Sequence, residues 1–218
     1  MMRRKQHRFR ENEARANVIQ EGKELFDTIK GHWRDRYFKN QNDIVLEIGC
    51  GRGEYTIGLA QLHPGRNYLG VDIKGDRIWK GSKTAEALQL SNVAFLRTQI
   101  QVLERFFASG EVNEIWLTFP DPRPKKSDIK RRMIHPRFIE IYKAILTPGG
   151  TVHLKTDNQV FFDYALEVLS AYPGVQNLQC SQNVYQSYLI SEELKIKTHY
   201  EQLFADQGFT IKYLSFQL

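Results

Sequence analysis

The feature that most constrains this chain of 218 residues is the regular alternation of strand-like runs with segments of helical length. The strand-like runs are rich in β-branched and aromatic residues, which predicts a mostly parallel sheet with helices on both faces, an α/β fold. The predicted strands span residues 43–48, 67–72, 93–96, 114–119, 151–155 and 209–216. The predicted helices span residues 13–31, 55–62, 76–90, 136–146, 160–172 and 192–207.

The size and composition of the chain favour a single globular domain. We expect a basic N-terminal arm and helical extension over residues 1–40, followed by the α/β domain over residues 41–218. No apolar run approaches the roughly 20 residues needed to span a bilayer, and no apolar segment follows the basic N-terminus, so we expect neither a membrane span nor a secretory signal. Two cysteines are too few for a disulfide framework, which favours a reducing compartment.

Residues 116–126 (WLTFPDPRPKK) join the end of an apolar strand to three alternating prolines and a cluster of cations. Proline fixes φ and lacks an N–H donor, so neither a helix nor a sheet ladder continues through residues 120–124. The segment therefore predicts a stiff loop that holds Asp121 at its neck. Seven cations stand against one acid in residues 123–137, which indicates an anionic partner.

The net charge of +6 is concentrated in two segments. One is the 123–137 segment, and the other is residues 1–10, which carry five cations and no acid. The rest of the chain has more acids than bases, so two cationic patches on an acidic body favour a phosphate backbone as the partner. For the N-terminal patch alone, a solvated basic tail is an equal alternative. The N-terminal cations are Arg3, Arg4, Lys5, Arg8 and Arg10.

Residues 46–54 (LEIGCGRGE) place three glycines between a strand and a helix. Glycine permits positive φ and close approach to a ligand, and the free N–H groups of the helix start face a polar or anionic group. With Asp72, whose carboxylate can accept hydrogen bonds from two ribose hydroxyls, the turn indicates a nucleotide-like cofactor. The dinucleotide fingerprint needs a glycine where Glu54 stands, which argues against NAD. Alone, the glycines also fit a plain tight turn.

Several motifs together resemble those of the tRNA (guanine-N7-)-methyltransferase family over nearly the whole chain. The proline-rich basic loop is the most distinctive of them, and the glycine turn alone would indicate only an S-adenosylmethionine-dependent methyltransferase. The resemblance implies a Rossmann-like class I methyltransferase fold with a seven-stranded sheet, and methylation of N7 of a guanine in the tRNA variable loop. The other motifs are Gly70-Val71-Asp72, Lys130-Arg131-Arg132, His135-Pro136 and Thr198-His199-Tyr200-Glu201.

The resemblance also implies roles for single residues, with Asp121 as the catalytic residue that orients the cofactor or accepts a hydrogen bond near the reacting centre. Two positions depart from the family pattern. Arg123 stands where tryptophan is common, and Gln99 stands where aspartate is common. The amide oxygen of Gln99 can still accept from the adenine amino group, and which of Arg97, Thr98 and Gln99 lies over adenine stays open. The predicted cofactor-binding residues are Glu47, Gly49, Gly51, Gly53, Asp72, Gln99 and Asp121.

Recognition of guanine is expected at its Watson–Crick edge, whose N1–H and amino group suit a carboxylate. Asp157 and Glu201 are the candidates, against the plainer readings of a helix N-cap for Asp157 and an exposed helical charge for Glu201. We expect the loop cations to bind phosphates. The predicted substrate-binding residues are Lys125, Lys126, Lys130, Arg131, Arg132, Asp157, Thr198 and Glu201.

Other classes of function remain open at this point. A methyltransferase of the same fold could act on rRNA, DNA or a protein, and a protein that binds RNA without turnover is a further alternative. His135 is expected to begin a helix rather than bind a metal, and we predict no metal site. We expect a cytoplasmic monomer or homodimer with no obligatory protein partner.

Overall fold

The computed structural model describes residues 4–205 and 208–218, so Arg3 of the N-terminal patch and the last two residues of the predicted helix 192–207 lie outside the described residues. Eight strands form one mixed sheet. They are β1 (Val18–Ile19), β2 (Ile44–Ile48), β3 (Asn67–Asp72), β4 (Val93–Arg97), β5 (Val112–Thr118), β6 (Leu146–Thr156), β7 (Gln176–Ser181) and β8 (Lys212–Gln217). Their order in space is β1-β4-β3-β2-β5-β6-β8-β7.

Helices cover both faces of the sheet, as the alternating sequence pattern predicts. The α-helices are α1 (Arg4–Ala14), α2 (Glu24–Thr28), α3 (Glu54–Leu62), α4 (Gly75–Ala87), α5 (Pro136–Ile145), α6 (Gln159–Ala171), α7 (Glu192–Lys195) and α8 (His199–Ala205). A π-helical turn (Trp33–Phe38) and 3₁₀ turns at Ile100–Arg105, Lys126–Arg131 and Val184–Gln186 complete them. Among the helices of the described residues, none has the length and apolarity to cross a bilayer.

The strand order reverses direction between β2 and β5, and this reversal positions the site. From β2 the chain moves outward through β3 and β4, and then returns to add β5 and β6 on the other side of β2. Strands β2 to β6 are mutually parallel. In such sheets a crevice opens at the carboxyl ends of the strands where the order reverses. The loops after β2, β3, β5 and β6 meet there.

The central strands are buried on both faces because their side chains alternate between two layers of core. All five residues of β2 are buried. Leu46 and Ile48 pack into one layer with residues of α5 and α6, while Val45 packs into the other with residues of α3 and α4. A strand that is buried on both faces, and here apolar except for Glu47, is typical of a parallel sheet covered on both sides.

The predicted helix over residues 13–31 is wrong. The chain instead ends α1 at Ala14, forms β1, and begins the short α2 at Glu24. The β-branched pair Val18 and Ile19 lies beside Phe95 and Leu96 of β4, and Gly22 turns the chain at a φ of 88°. The pairing of Val18 and Ile19 at the sheet edge therefore outweighs the helical pattern of residues 13–31.

The predicted C-terminal helix over residues 192–207 is also interrupted, because α7 ends at Lys195 and α8 begins at His199. Each helix has its own cap: the side chain of Ser191 accepts from Leu194 N–H, and Thr198 Oγ1 accepts from Glu201 N–H at 3.1 Å. Two cap residues seven positions apart define two short helices rather than one.

The sheet has eight strands rather than the seven expected, because the two-residue β1 is added at one edge. At the other edge lies β7, which none of the predicted strands included, and it pairs antiparallel with β8. Residues 147–150 (TPGG) lie inside β6, where the pairing with β5 is irregular: Leu146 pairs with Val112, and Thr151 then pairs with Glu114.

Candidate active site

A cleft of about 1180 Å³ opens at the carboxyl ends of the parallel strands. It is lined by the loops that follow β2, β3, β4, β5 and β6, with further residues from α5 and α8. Of the predicted site residues, the structure brings seven to this wall: Gly49, Asp72, Gln99, Asp121, Lys130, Arg131 and Asp157.

The glycine turn after β2 has the backbone that the sequence predicts. Gly49, Gly51 and Gly53 all have positive φ, at 79°, 55° and 70°. A Cβ on Gly53 would lie 2.5 Å from the ring of Phe95, so this position requires glycine for space as well as for conformation. Gly49 lies in the cleft wall, while Gly51 and Gly53 shape the turn behind it.

Asp72 closes the turn and still faces the cleft. Its Oδ2 accepts from Gly51 N–H at 2.9 Å, and its Oδ1 accepts from Lys74 N–H at 2.8 Å. An ionised carboxylate has about four acceptor positions, so two remain for a ligand. Asp72 therefore has the bonding capacity that a ribose diol requires.

Glu47 lies beneath the glycine turn and outside the cleft wall. It is 2% exposed, its Oε2 accepts from Thr56 N–H at 2.8 Å, and its Oε1 accepts from Thr118 Oγ1 at 2.5 Å. Burial raises the pKa of Glu47 to about 7, although the hydrogen bonds from Thr118 and Thr56 oppose that rise. Glu47 thus joins the start of α3 to the end of β5.

The structure distinguishes between Arg97, Thr98 and Gln99, the three candidates for the contact with adenine. Thr98 and Gln99 line the cleft, but Arg97 does not. The guanidinium of Arg97 lies 4.6 Å from the ring of Phe9 on α1, and its Nε donates to the carbonyl of Ile73 at 3.4 Å. Of the three candidates, Thr98 and Gln99 therefore line the cleft and Arg97 packs against α1.

Asp121 lies in the cleft wall at the neck of the proline-rich loop and is engaged by Arg123. Asp121 Oδ1 accepts from Arg123 N–H at 3.1 Å, and Arg123 Nε lies 3.1 Å from Asp121 Oδ2. Phe119 and Arg123 both have a φ of 48°, a left-handed conformation that is unusual for residues other than glycine. Arg123, in the position where the resembled family commonly has tryptophan, thus forms an ion pair with the Asp121 carboxylate.

The basic segment after the loop divides into three groups. Lys130 and Arg131 line the cleft, while Lys125 and Lys126 are exposed outside it. Arg132 is buried at 6% exposure, and its guanidinium donates to the carbonyl of Arg123 at 3.2 and 3.3 Å. The structure therefore makes Arg132 a support for the loop and does not present it as a phosphate contact.

Asp157 and Asn158 follow β6 and both line the cleft, but they have different roles. Asn158 Oδ1 accepts from Phe161 N–H at 2.9 Å and so caps α6. The plainer reading of Asp157 as the helix cap is therefore wrong, and Asp157 lines the cleft. His135 caps α5, as predicted, with Nδ1 accepting from Arg137 N–H at 3.3 Å.

Glu201 and Thr198 are not brought to the cleft wall. Glu201 is fully buried, paired with the equally buried Lys155 at 3.0 Å, and its other oxygen accepts from the hydroxyl of Tyr185. Burial lowers the pKa of Lys155, and Glu201 opposes that change. Between these two motif residues, the side chain of Tyr200 lines the cleft and is 51% exposed.

The cleft carries more positive than negative charge. Among the described residues, three acidic residues line it, Asp72, Asp121 and Asp157, against six cationic residues. Sequence reasoning missed two of these cations, since Lys74 and Arg77 follow Asp72 at the start of α4 with no distinctive spacing. Within the described parts of the chain, no three His, Cys, Asp or Glu side chains are grouped as metal ligands would be. The six cations are Lys74, Arg77, Arg123, Lys130, Arg131 and Arg137.

Comparisons with known proteins agree on a class of enzyme. Residues 41–214 match the family model described as "Putative methyltransferase". A tRNA (guanine-N(7)-)-methyltransferase of Cytophaga hutchinsonii is 48% identical over 100% of this chain and 98% of its own length. A tRNA (guanine-N(7)-)-methyltransferase of Christiangramia forsetii is 44% identical over 98% of this chain and 97% of its own length.

Solved structures show the same fold at low sequence identity. The 16S rRNA methyltransferase KamB superposes with a TM-score of 0.62 at 17% identity, covering 93% of this chain and 98% of that one. A 16S rRNA (adenine(1408)-N(1))-methyltransferase from Catenulisporales acidiphilia, solved with its cosubstrate SAM, gives a TM-score of 0.54 at 13% identity over 84% and 88%. These likenesses establish the Rossmann-like class I methyltransferase fold.

Proposed function

The chain belongs to the tRNA (guanine-N(7)-)-methyltransferase family, and we propose that it transfers the methyl group of S-adenosylmethionine to N7 of a guanine in the tRNA variable loop. The observation that carries the proposal is the division of one cleft. Gly49 and Asp72 line the part assigned to the cofactor, Lys130 and Arg131 line the part assigned to tRNA, and Asp121 and Asp157 line the same cleft.

The cofactor end fits S-adenosylmethionine by its hydrogen-bonding capacity. Asp72 retains acceptor positions for the ribose hydroxyls, and Thr98 and Gln99 offer polar groups for adenine. Gly49 lines the cleft without a side chain. When bound, S-adenosylmethionine supplies a sulfonium methyl group as the electrophile. Glu47 supports this end from below, through Thr56 and Thr118, rather than by touching the cofactor.

The reaction requires the protein mainly to align guanine N7 with the methyl group of the cofactor. Guanine N7 has an in-plane lone pair, so it needs no deprotonation and no metal activation before it attacks the methyl carbon. Transfer requires nucleophile, carbon and sulfur nearly in line, and holding that geometry can lower the barrier by roughly 7 to 11 kcal/mol. We assign Asp121 to orient the reacting groups, from a loop whose prolines limit its movement.

Recognition of the target base is assigned to Asp157. Its carboxylate lies in the cleft wall and can accept from both N1–H and the amino group of guanine. Tyr200, half-exposed in the same wall, offers a ring face beside it. Thr198 and Glu201 take part through the segment that carries Tyr200.

The cationic end of the cleft is assigned to tRNA phosphates. Lys130 and Arg131 line it, and Lys125 and Lys126 extend the same charge outside. Such contacts neutralise phosphates and position the RNA without reading its sequence. We further propose a cytoplasmic enzyme that works as a monomer or homodimer without an obligatory protein partner, with residues 1–40 as an extension to the catalytic domain of residues 41–218.

The test is methylation of unmodified tRNA by purified protein, with labelled S-adenosylmethionine and mapping of m7G by borohydride and aniline cleavage. Cleavage at a variable-loop guanine is expected, with 16S rRNA as the alternative substrate. A folded protein that binds the cofactor but yields no such cleavage would overturn the proposal.

Asp121→Ala and the isosteric Asp121→Asn separate turnover from binding. We expect kcat to fall by roughly 100-fold or more, the size of effect that misalignment produces, with little change in the Kd for tRNA. An equal loss of tRNA affinity and turnover would indicate a folding role for Asp121 instead.

A further inference from the structure

The ion pair between Lys155 and Glu201 is a feature of this region that the reaction itself does not use. Both side chains are fully buried, and Lys155 Nζ lies 3.0 Å from Glu201 Oε2. The pair joins β6 of the sheet to α8. Apolar residues of similar volume often stabilise a fold as well as a buried ion pair does, so the pair calls for a role beyond stability.

Lys155 holds a whole segment of chain as well as the Glu201 carboxylate. Its ammonium donates to the carbonyls of Leu194 at 2.9 Å and Ile196 at 3.1 Å, and to Glu201 Oε2 at 3.0 Å. These three bonds use all three of its donors. Three aromatic rings surround it at 5.2 to 6.0 Å, those of Tyr55, Phe119 and Tyr185.

The segment of residues 194–201 that Lys155 holds carries Tyr200 to the cleft. Tyr200 precedes the buried Glu201 directly, so fixing Glu201 fixes the start of α8. Two further bonds restrain this start: Thr198 Oγ1 accepts from Glu201 N–H at 3.1 Å, and Glu54 Oε2 accepts from His199 N–H at 2.7 Å. The half-exposed ring of Tyr200 therefore stands on a buried support.

Lys155 also adjoins the other two parts of the cleft wall that face the target base. Its backbone carbonyl accepts from Phe119 N–H at 2.9 Å, two residues before Asp121. Asp157 follows Lys155 by two residues, beyond the end of β6. One residue thus contacts or adjoins the proline-rich loop, the end of β6 and the segment that carries Tyr200.

We propose that Lys155 is a positioning residue, which fixes the 194–201 segment so that Tyr200 holds the target guanine in line for methyl transfer. The inference rests on the proposed function. Glu201 is then the anchor of this segment and not a direct ligand of guanine, which accounts for its burial.

Two variants and a control test the inference. Lys155→Met leaves the Glu201 carboxylate buried without its cation, so it is accompanied by Lys155→Met/Glu201→Leu, which removes both charges and keeps apolar packing. The control is Lys23→Met, because Lys23 also donates to backbone carbonyls, including that of Val18 at 2.6 Å, but lies in the N-terminal extension.

In the double variant we expect amide hydrogen exchange within residues 194–201 to accelerate by about 10- to 100-fold, the effect of losing a charge-assisted hydrogen bond. We expect kcat for tRNA to fall by roughly 100-fold, with the Kd for S-adenosylmethionine unchanged, because neither Lys155 nor Glu201 lines the cleft. Lys23→Met should change neither readout.

A folded double variant with wild-type kcat, or with wild-type exchange at residues 194–201, overturns the inference. If the double variant does not fold, Lys155→Gln removes the charge and shortens the side chain that binds Leu194, Ile196 and Glu201, and unchanged exchange at residues 194–201 in that variant overturns the inference as well. Absence of tRNA methylation by the wild-type protein would refute the proposed function, whereas the exchange experiment would still report whether Lys155 fixes the segment.

Discussion

Replacing Glu47 by glutamine is expected to remove a pH dependence from the stability of the protein. Glu47 is buried under the glycine turn, and burial raises its pKa from 4.5 to about 7. Glutamine keeps the shape, with an amide oxygen to accept from Thr56 N–H and an amide N–H to donate to Thr118 Oγ1. The variant therefore tests the charge alone.

The sign and size of the effect follow from the two pKa values. Below pH 4.5 the carboxyl is protonated in both the folded and the unfolded chain, so the residue adds no pH dependence. As the pH rises from 4.5 to about 7, the unfolded chain releases its proton first, and the free energy of unfolding falls. At about 1.4 kcal/mol per pKa unit, the fall attributable to Glu47 is about 3 kcal/mol by neutral pH.

The assay is denaturant unfolding of wild type and Glu47→Gln at a series of pH values from 4.5 to 8, since the difference between the two proteins cancels all other titrating groups. The stability of the variant relative to wild type should rise by about 3 kcal/mol across this range. Glu192→Gln, at a side chain that is 66% exposed, is the matched control for the same substitution at the surface.

A difference between wild type and Glu47→Gln that is constant with pH would refute this reasoning. It would mean that the hydrogen bonds from Thr56 and Thr118 outweigh the cost of burying the charge, and that Glu47 is ionised in the folded protein throughout the range.

Two further predictions concern the RNA contacts and the acid stability. Lys125→Ala/Lys126→Ala should reduce the slope of log K against log salt for tRNA binding by about 1.4 to 1.8, because each phosphate contact contributes about 0.7 to 0.9. Lys143→Ala is the control and should leave the slope unchanged. An unchanged slope in the double variant would place both lysines away from RNA. At Glu114, His153 and Arg66 outweigh desolvation and lower the pKa from 4.5 to about 2. The free energy of unfolding of wild type should therefore fall by about 3 kcal/mol relative to that of Glu114→Gln as the pH falls from 4.5 to 2. Denaturant unfolding that gives a constant difference between the two proteins over this pH range would contradict the prediction.

Local patterns predicted the elements that build the cofactor end. The span of β3, the positive φ of the glycine turn and the position of Asp72 at a strand end all depend on residues close together in the sequence. Periodicity and glycine spacing record such short-range constraints directly. The edges of the sheet were less predictable. Strand β7 was missed because its residues are polar and mostly exposed, so no apolar alternation marks it.

The substrate end depends on contacts between residues far apart in the sequence. Nothing near Glu201 shows that it is buried, because its partner Lys155 is 46 residues away on a strand. Arg132 looked like its neighbours Lys130 and Arg131, yet it turns inward to the carbonyl of Arg123. Charge and spacing identify such residues as cationic or acidic, whereas only the fold decides which of them face a ligand.

The pairing of β1 with β4 has a consequence for how the chain is made. Val18 and Ile19 cover the outer edge of β4, beside Phe95 and Leu96, and all four side chains are buried. Without them, an apolar strand would expose a row of unpaired N–H and C=O groups of the kind that recruits other chains into aggregates. During synthesis β1 leaves the ribosome before β4, which lies some 75 residues later in the chain. Strand β1 can therefore cover the edge of β4 only after β4 itself has been synthesised.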